Sequence, residues 1–303
     1  MTLDTELYVD CAIKYELGLI MFILDTSAIR GISHPKLTEA KSKVGIAVST
    51  QTVLELASHL DDPEYLRARG NFLKCQIPLL LNDPFWLLSD KLHLSANSTR
   101  GEDKLVLSQL LLAVQQSQSL ADLGTKTLTY PDGTIASCID AGKIIEEILQ
   151  KEEVTYIAHI KSLPALAGLD PLLNGKHTLT SEALFGYLAD AAKSLSPTND
   201  RSLQAKTFLA TAPYFGYLMH RLYQYANRRP RGETELCIDA NDCEDAYIAL
   251  ILDLNTFDTL VTNDYGTLDA LKNTTIRLNE ILPIPLNSSL VMSNDEFLRF
   301  IES

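Results

Sequence analysis

A short apolar run, Met21-Phe22-Ile23-Leu24, stops at Asp25 and is followed at once by Thr26-Ser27. Consecutive apolar residues without helical spacing suit a strand covered on both faces. A carboxylate and hydroxyls at its end suit the polar edge of a parallel sheet. The pattern repeats at Val44–Thr50 (VGIAVST), a second strand-sized run ending in hydroxyls. Gln51–Leu60 then reads as a helix with Thr50 as N-cap and Glu55 a little over one turn inside. With a short helix over 32–43 between the two runs, the segment predicts parallel βα units.

Between 61 and 232 the texture changes. Helical patterns cover 62–75, 102–121, 139–160, 181–194 and 202–228, and Lys126–Ala136 predicts a small hairpin turning at Pro131-Asp132-Gly133. The α/β alternation then returns. Asn241–Asn255 reads as a helix capped by Asn241, with Glu244 as its partner three residues on. Asp258–Thr262 reads as a strand ending at Asn263-Asp264, followed by a short helix over Thr267–Leu271 and a strand over Thr275–Leu278. An edge strand within 284–292 and a closing helix over Asn294–Ile301 complete the pattern. Residues 21–60 and 233–292 thus read as one discontinuous α/β domain and 61–232 as a mainly helical insertion. Residues 1–20 and 293–303 read as accessory termini, with Ile13, Leu17 and Ile20 at the spacing of a helix face.

The formal net charge of −13 is concentrated late: residues 233–303 hold 14 Asp or Glu against three Lys or Arg. That surface excludes a sequence-nonspecific DNA coat, while clustered carboxylates remain suited to binding cations. The five cysteines (11, 75, 138, 237, 243) include no CxxC pair and read as free thiols. No apolar run approaches the ~18 residues of a membrane span, so the chain reads as soluble and cytoplasmic. Walker, GxGxxG, HExxH, GxSxG and EF-hand patterns are absent, and the six histidines show no acid–base spacing.

Ligands of parallel α/β sheets bind beyond the carboxyl ends of the strands. Asp25 and Asp264 both follow apolar runs, Glu55 lies early in a helix leaving the same edge, and Asp242 and Asp245 are three apart near the start of another. Each has a competing reading as a turn former, helix cap or solvated residue. Their convergence from separate segments is what points to cation binding, because crowded carboxylates repel unless neutralised. The basic, tyrosine-interleaved segment Arg221–Arg231 suggests a path for single-stranded nucleic acid, with Arg221, Tyr225, Arg228 and Arg229 near one helical side. Its competing reading is an Arg-rich helix C-terminus stopped by Pro230.

The blocks MFILDTSAIRG (21–31), STQTVLELASHL (49–60), NDCEDAYIALILD (241–253) and DTLVTNDYGTL (258–268) resemble those of the PIN domain family. The resemblance implies a three-layer α/β/α sandwich with a central parallel sheet and metal-dependent cleavage of single-stranded RNA. Asp25 matches the family's first acidic position with Ser27 as its hydroxyl companion, Glu55 the second, Asp245 the third with Asp242 before it, and Asp264 the fourth. Asp25, Glu55, Asp245 and Asp264 would then bind Mg2+ or Mn2+, with Asp242 an alternative to Asp245. Ser27, Thr262 and Asn263 would stand behind them. The long stretch from 61 to 232 departs from compact members. Two rivals follow: an inactive PIN-like scaffold binding a protein partner through its helical insertion, and a hydrolase of small phosphorylated substrates.

Overall fold

The computed structural model describes residues 8–10, 21–81, 100–166, 177–196, 200–229, 235–239, 242–254, 258–283, 286 and 289–303. These fall into two compact units. The first holds the described residues of Met1–Glu147, Asp258–Asp264 and Val291–Ser303, and the second those of Ile148–Phe257 and Tyr265–Leu290.

Eight strands are described: β1 Tyr8–Asp10, β2 Phe22–Leu24, β3 Ile46–Ser49, β4 Leu79–Leu81, β5 Thr127–Thr129, β6 Ile135–Ser137, β7 Thr259–Val261 and β8 Val291–Met292. The α-helices up to the middle of the chain are α1 Thr26–Gly31, α2 His34–Lys43, α3 Thr50–Ser58, α4 Leu66–Cys75, α5 Arg100–Gln115, α6 Leu120–Gly124 and α7 Cys138–Leu166. Those that follow are α8 Ser181–Leu195, α9 Arg201–Arg228, α10 Asp242–Ile251, α11 Tyr265–Ile281 and α12 Asn294–Glu302.

Six strands form one parallel sheet in the order β1-β4-β3-β2-β7-β8. Strand β2 is central and wholly buried, as its uninterrupted apolar run predicts. Its register is set at its start, where Met21 N–H donates to Asp258 Oδ1 at 3.1 Å and Met21 C=O accepts from Thr259 N at 3.0 Å. Two groups of helices flank the sheet. In one, α1, α2, α4 and α12 pack on one another, with α1 against β2 and α12 against β8; in the other, α3 lies on β3 and β4 and packs on α5. Asn71 of α4 donates to the carbonyls of Ile29 (2.8 Å) and Ile32 (2.9 Å), so the buried end of α1 keeps its hydrogen bonds. The architecture is the expected α/β/α sandwich around a parallel sheet, consistent with a PIN-like fold.

The second unit is helical, with α8, α9 and α11 packed on one another and α10 on α9. Pro213 lies inside α9 and cannot donate to the Leu209 carbonyl four residues earlier. Leu254 N takes that place, donating to Leu209 O at 3.1 Å. Gly216 lets α9 approach α11 closely, since a Cβ there would overlap the Thr274 side chain. Among the described residues, no helix is long and apolar enough to cross a membrane.

Several expectations change. Strand β4 lies inside the segment read as a helical insertion, yet it pairs with β3. Three leucines in a row carry no period to separate strand from helix. Helix α12, read as accessory, packs on β8 and α2. The unit boundaries accordingly differ from 21–60, 61–232 and 233–292. Thr275–Leu278 is part of α11, where the Thr274 and Thr275 hydroxyls donate to the carbonyls of Ala270 (2.9 Å) and Leu271 (3.0 Å) within one continuous helix. Ser49, not Thr50, caps α3, accepting from Thr52 N at 3.0 Å. The hairpin forms as expected, with Gly133 at φ 84° in its turn and Thr134 N donating to Asp132 Oδ1 at 2.8 Å. Asn241 and the proposed face of Ile13, Leu17 and Ile20 lie outside the described residues.

Candidate active site

Parallel pairing brings three strand ends level. Leu24 faces Val48 on one side and Val261 on the other, so Asp25, Ser49 and Thr262 begin the same edge. Asp25 is 7% exposed and is the N-cap of α1, accepting from Ala28 N at 2.7 Å. The capping reading of this residue is therefore correct as geometry. It does not account for the remaining partners. Ser27 Oγ lies 2.9 Å from Asp25 Oδ1 and 3.1 Å from Oδ2, and the Thr262 hydroxyl, arriving from the end of β7, donates to Oδ2. Behind these, Asn263 N donates to Ser27 Oγ (2.7 Å) and Asp264 N to Thr262 Oγ1 (2.9 Å). Ser27 and Thr262 thus both hydrogen-bond the Asp25 carboxylate.

Burial raises the Asp25 pKa to about 6. The hydrogen bonds from Thr262, Ala28 and Ser27 oppose that rise, and the charge of Glu55 adds to it. Glu55 is held by two residues that the sequence did not single out: Thr26 Oγ1 donates to Oε2 at 2.6 Å and Tyr65 OH to Oε1 at 3.3 Å. Desolvation and the Glu55 charge push the Tyr65 phenol up to about 12. The Tyr65 ring stacks on His59 with centroids 4.2 Å apart, and the guanidinium of exposed Arg30 lies 5.8 Å from its centroid. Asp264 is exposed. Asn263 Oδ1 accepts from Asn294 N at 3.1 Å, and Gly31 leaves room for Asn294, whose amide a Cβ there would overlap.

Asp242 and Asp245 belong to the second unit and have separate partners. Asp242 is 6% exposed and forms an ion pair with Arg221, itself 5% exposed; Tyr225 OH donates to the same carboxylate oxygen. Arg221 Nη1 also donates to Gln224 Oε1 at 2.7 Å, and Gln224 Nε2 to Asp269 Oδ2 at 2.8 Å, linking α9 to α10 and α11. Asp245 accepts from the Thr267 hydroxyl. Arg221 and Tyr225, read from the sequence as part of a path for single-stranded nucleic acid, are instead buried against Asp242. Arg228 is exposed and Arg229 half-buried. The helical period located the face of α9 but not the carboxylate opposite it.

Among the described residues, no three His, Cys, Asp or Glu side chains form a group able to hold a metal ion. The described cysteines 75, 138, 237 and 243 are free thiols. No protein-family model, curated protein or solved structure matches this chain.

Proposed function

We propose that this protein is a PIN-like phosphodiesterase that cleaves single-stranded RNA with the help of Mg2+ or Mn2+ bound at Asp25. The observation that supports the reading most directly is the Asp25 carboxylate, buried at the end of the central strand and oriented by hydroxyls from the first turn of α1 and the end of β7. A carboxylate has about four acceptor positions, and three hydrogens, from Ala28, Ser27 and Thr262, are directed at this one, which leaves a position for a hard cation. Mg2+ commonly takes only one or two protein carboxylates and completes its shell with water and phosphate oxygens. A three-carboxylate cage is therefore not required for the donor set to fit.

Asp25 would hold the ion, with Glu55 in electrostatic reach and Asp264 at the neighbouring strand end. Bound there, the cation would acidify the attacking water and offset charge on the phosphoryl oxygens. Ser27 and Thr262 keep Asp25 aimed, as supporting hydrogen bonds do around metal ligands. Glu55, fixed by Thr26 and Tyr65, orients water. Exposed Arg30 contacts a backbone phosphate, and the neighbouring Tyr65 ring stacks a base.

The test is cleavage of an unstructured RNA by the full chain in Mg2+, in Mn2+ and in EDTA, with hairpin RNA and single-stranded DNA for comparison. Metal-dependent cleavage of the RNA should fall roughly a hundredfold or more in Asp25→Asn and Glu55→Gln. Equal activity in wild type and Asp25→Asn, with equal metal-induced melting shifts, would sink the proposal. The absence of a three-carboxylate group among the described residues favours one second reading, a scaffold of the same fold without chemistry. Wild type with neither cleavage nor a melting shift would select it.

A further inference from the structure

The turn between α3 and α4 brings two rings together. His59 ends α3, and Asp62 caps a single 3-10 turn over Pro63–Tyr65. Asp62 N donates to the His59 carbonyl at 3.0 Å and Tyr65 N to the Asp62 carbonyl at 3.1 Å, while Asp62 Oδ1 accepts from Glu64 N at 2.9 Å. Arg69 Nη1 ties the same turn to α4 by donating to the Leu60 carbonyl at 2.6 Å, and Pro63 fixes one φ within it. The His59 and Tyr65 rings therefore meet with centroids 4.2 Å apart and planes 9° from parallel.

The stack joins the Asp25 site to solvent. At its inner end the Tyr65 hydroxyl donates to Glu55 Oε1 at 3.3 Å. At its outer end His59 exposes 42% of its side chain although Tyr65 covers one of its faces. What remains to be exposed is the opposite face and the ring edge. Asp62 Oδ2, 3.6 Å from His59 Nδ1, stands at the edge and leaves the face clear. A flat ring held in place before a ligand arrives loses little freedom on stacking, which is what a single-strand binder needs. The exposed Arg30 guanidinium, 5.8 Å from the Tyr65 centroid, supplies a positive charge for the adjoining phosphate. We propose that the outer face of His59 is the platform for a nucleobase next to the scissile phosphate, with purines preferred because their fused rings cover more of it. This rests on the phosphodiesterase reading of the Asp25 site and moves the base contact from the Tyr65 ring to the imidazole that covers it.

The experiment measures fluorescence anisotropy of labelled oligomers of about eight nucleotides with the full chain in EDTA, where metal-dependent cleavage is silent. The oligomers are oligoadenylate, oligouridylate and an abasic ribose-phosphate chain of the same length. Wild type should bind them in that order of decreasing affinity. His59→Ala should weaken oligoadenylate about tenfold and leave the abasic chain unchanged, and His59→Phe, which keeps a flat ring, should bind oligoadenylate as wild type does. A purely structural stack would lower the melting temperature of His59→Ala without altering the difference between oligoadenylate and the abasic chain. The proposal is overturned by that result, by no binding of oligoadenylate below about 1 mM, or by His59→Phe losing as much affinity as His59→Ala. It is also overturned if His59→Ala loses the abasic chain equally, since the contact would then be to phosphate. Binding that depends on His59 without metal-dependent cleavage would fault the nuclease chemistry, whereas cleavage with unchanged binding and KM in His59→Ala would fault only the platform.

Discussion

Replacing Asp25 by Asn removes a charge from a side chain that is 7% exposed and keeps its shape. The folded carboxyl titrates at about 6 rather than 3.8, mainly because burial penalises the ion. A group with a raised folded pKa contributes stability that is complete below 3.8 and lost as pH rises through about 6. The difference of roughly two units corresponds to about 3 kcal/mol of destabilisation in the wild type above that window. Asn keeps the cap on Ala28 N and needs one of the Ser27 or Thr262 hydroxyls to rotate and accept its amide, which costs about 1 kcal/mol. In EDTA, Asp25→Asn should therefore be about 2 kcal/mol more stable than wild type at pH 7.5. At pH 4 it should be equal or slightly less stable. Urea unfolding followed by circular dichroism at both pH values measures this, and the variant-minus-wild-type difference cancels every other titrating group. A difference that stays flat between the two pH values would refute the burial argument for Asp25.

Asp242→Asn should cost about 3–5 kcal/mol in urea unfolding, because it leaves the Arg221 guanidinium buried without its counter-charge. A loss of only a few tenths would show Asp242 to be an ordinary first-turn helix residue. Gly216→Ala gains helix propensity but meets Thr274, and should lower stability by about 1–3 kcal/mol; a more stable variant would show that α11 yields. Desolvation, with Arg277 nearby, lowers the His220 pKa to about 4, so its contribution is present above 6.5 and lost as pH falls through about 4. His220→Phe should remove roughly 3 kcal/mol of that acid sensitivity, and parallel wild-type and variant pH–stability curves would refute the assignment.

The strands at the centre of the sheet were legible because their signal is local. Phe22–Leu24 and Ile46–Ser49 are buried in full, and burial on both faces leaves continuous apolar runs. Parallel pairing then places Asp25, Ser27 and Thr262 at one edge without further information, which is why that part of the candidate site could be read in advance. The hairpin at Pro131-Asp132-Gly133 was legible for a related reason: the backbone demand of its turn is met by the residues of the turn itself.

What failed was everything whose sign depends on a distant partner. Leu79–Leu81 becomes a strand only because the edge of β3 is available to pair with it. Thr275–Leu278 carries strand-forming residues, but the Thr275 hydroxyl bonds back into α11 and the helix continues. Arg221 and Tyr225 lie on the predicted helical side, and period alone is silent on what faces that side; Asp242, 21 residues away, makes it an interior ion pair. Thr26 and Tyr65 hold Glu55 from opposite sides of it in sequence. Periodicity and turn chemistry are properties of a few neighbouring residues and survive without a fold. Burial, pairing and the resulting pKa of a carboxylate are properties of whatever packs against it, and tertiary structure alone determines them.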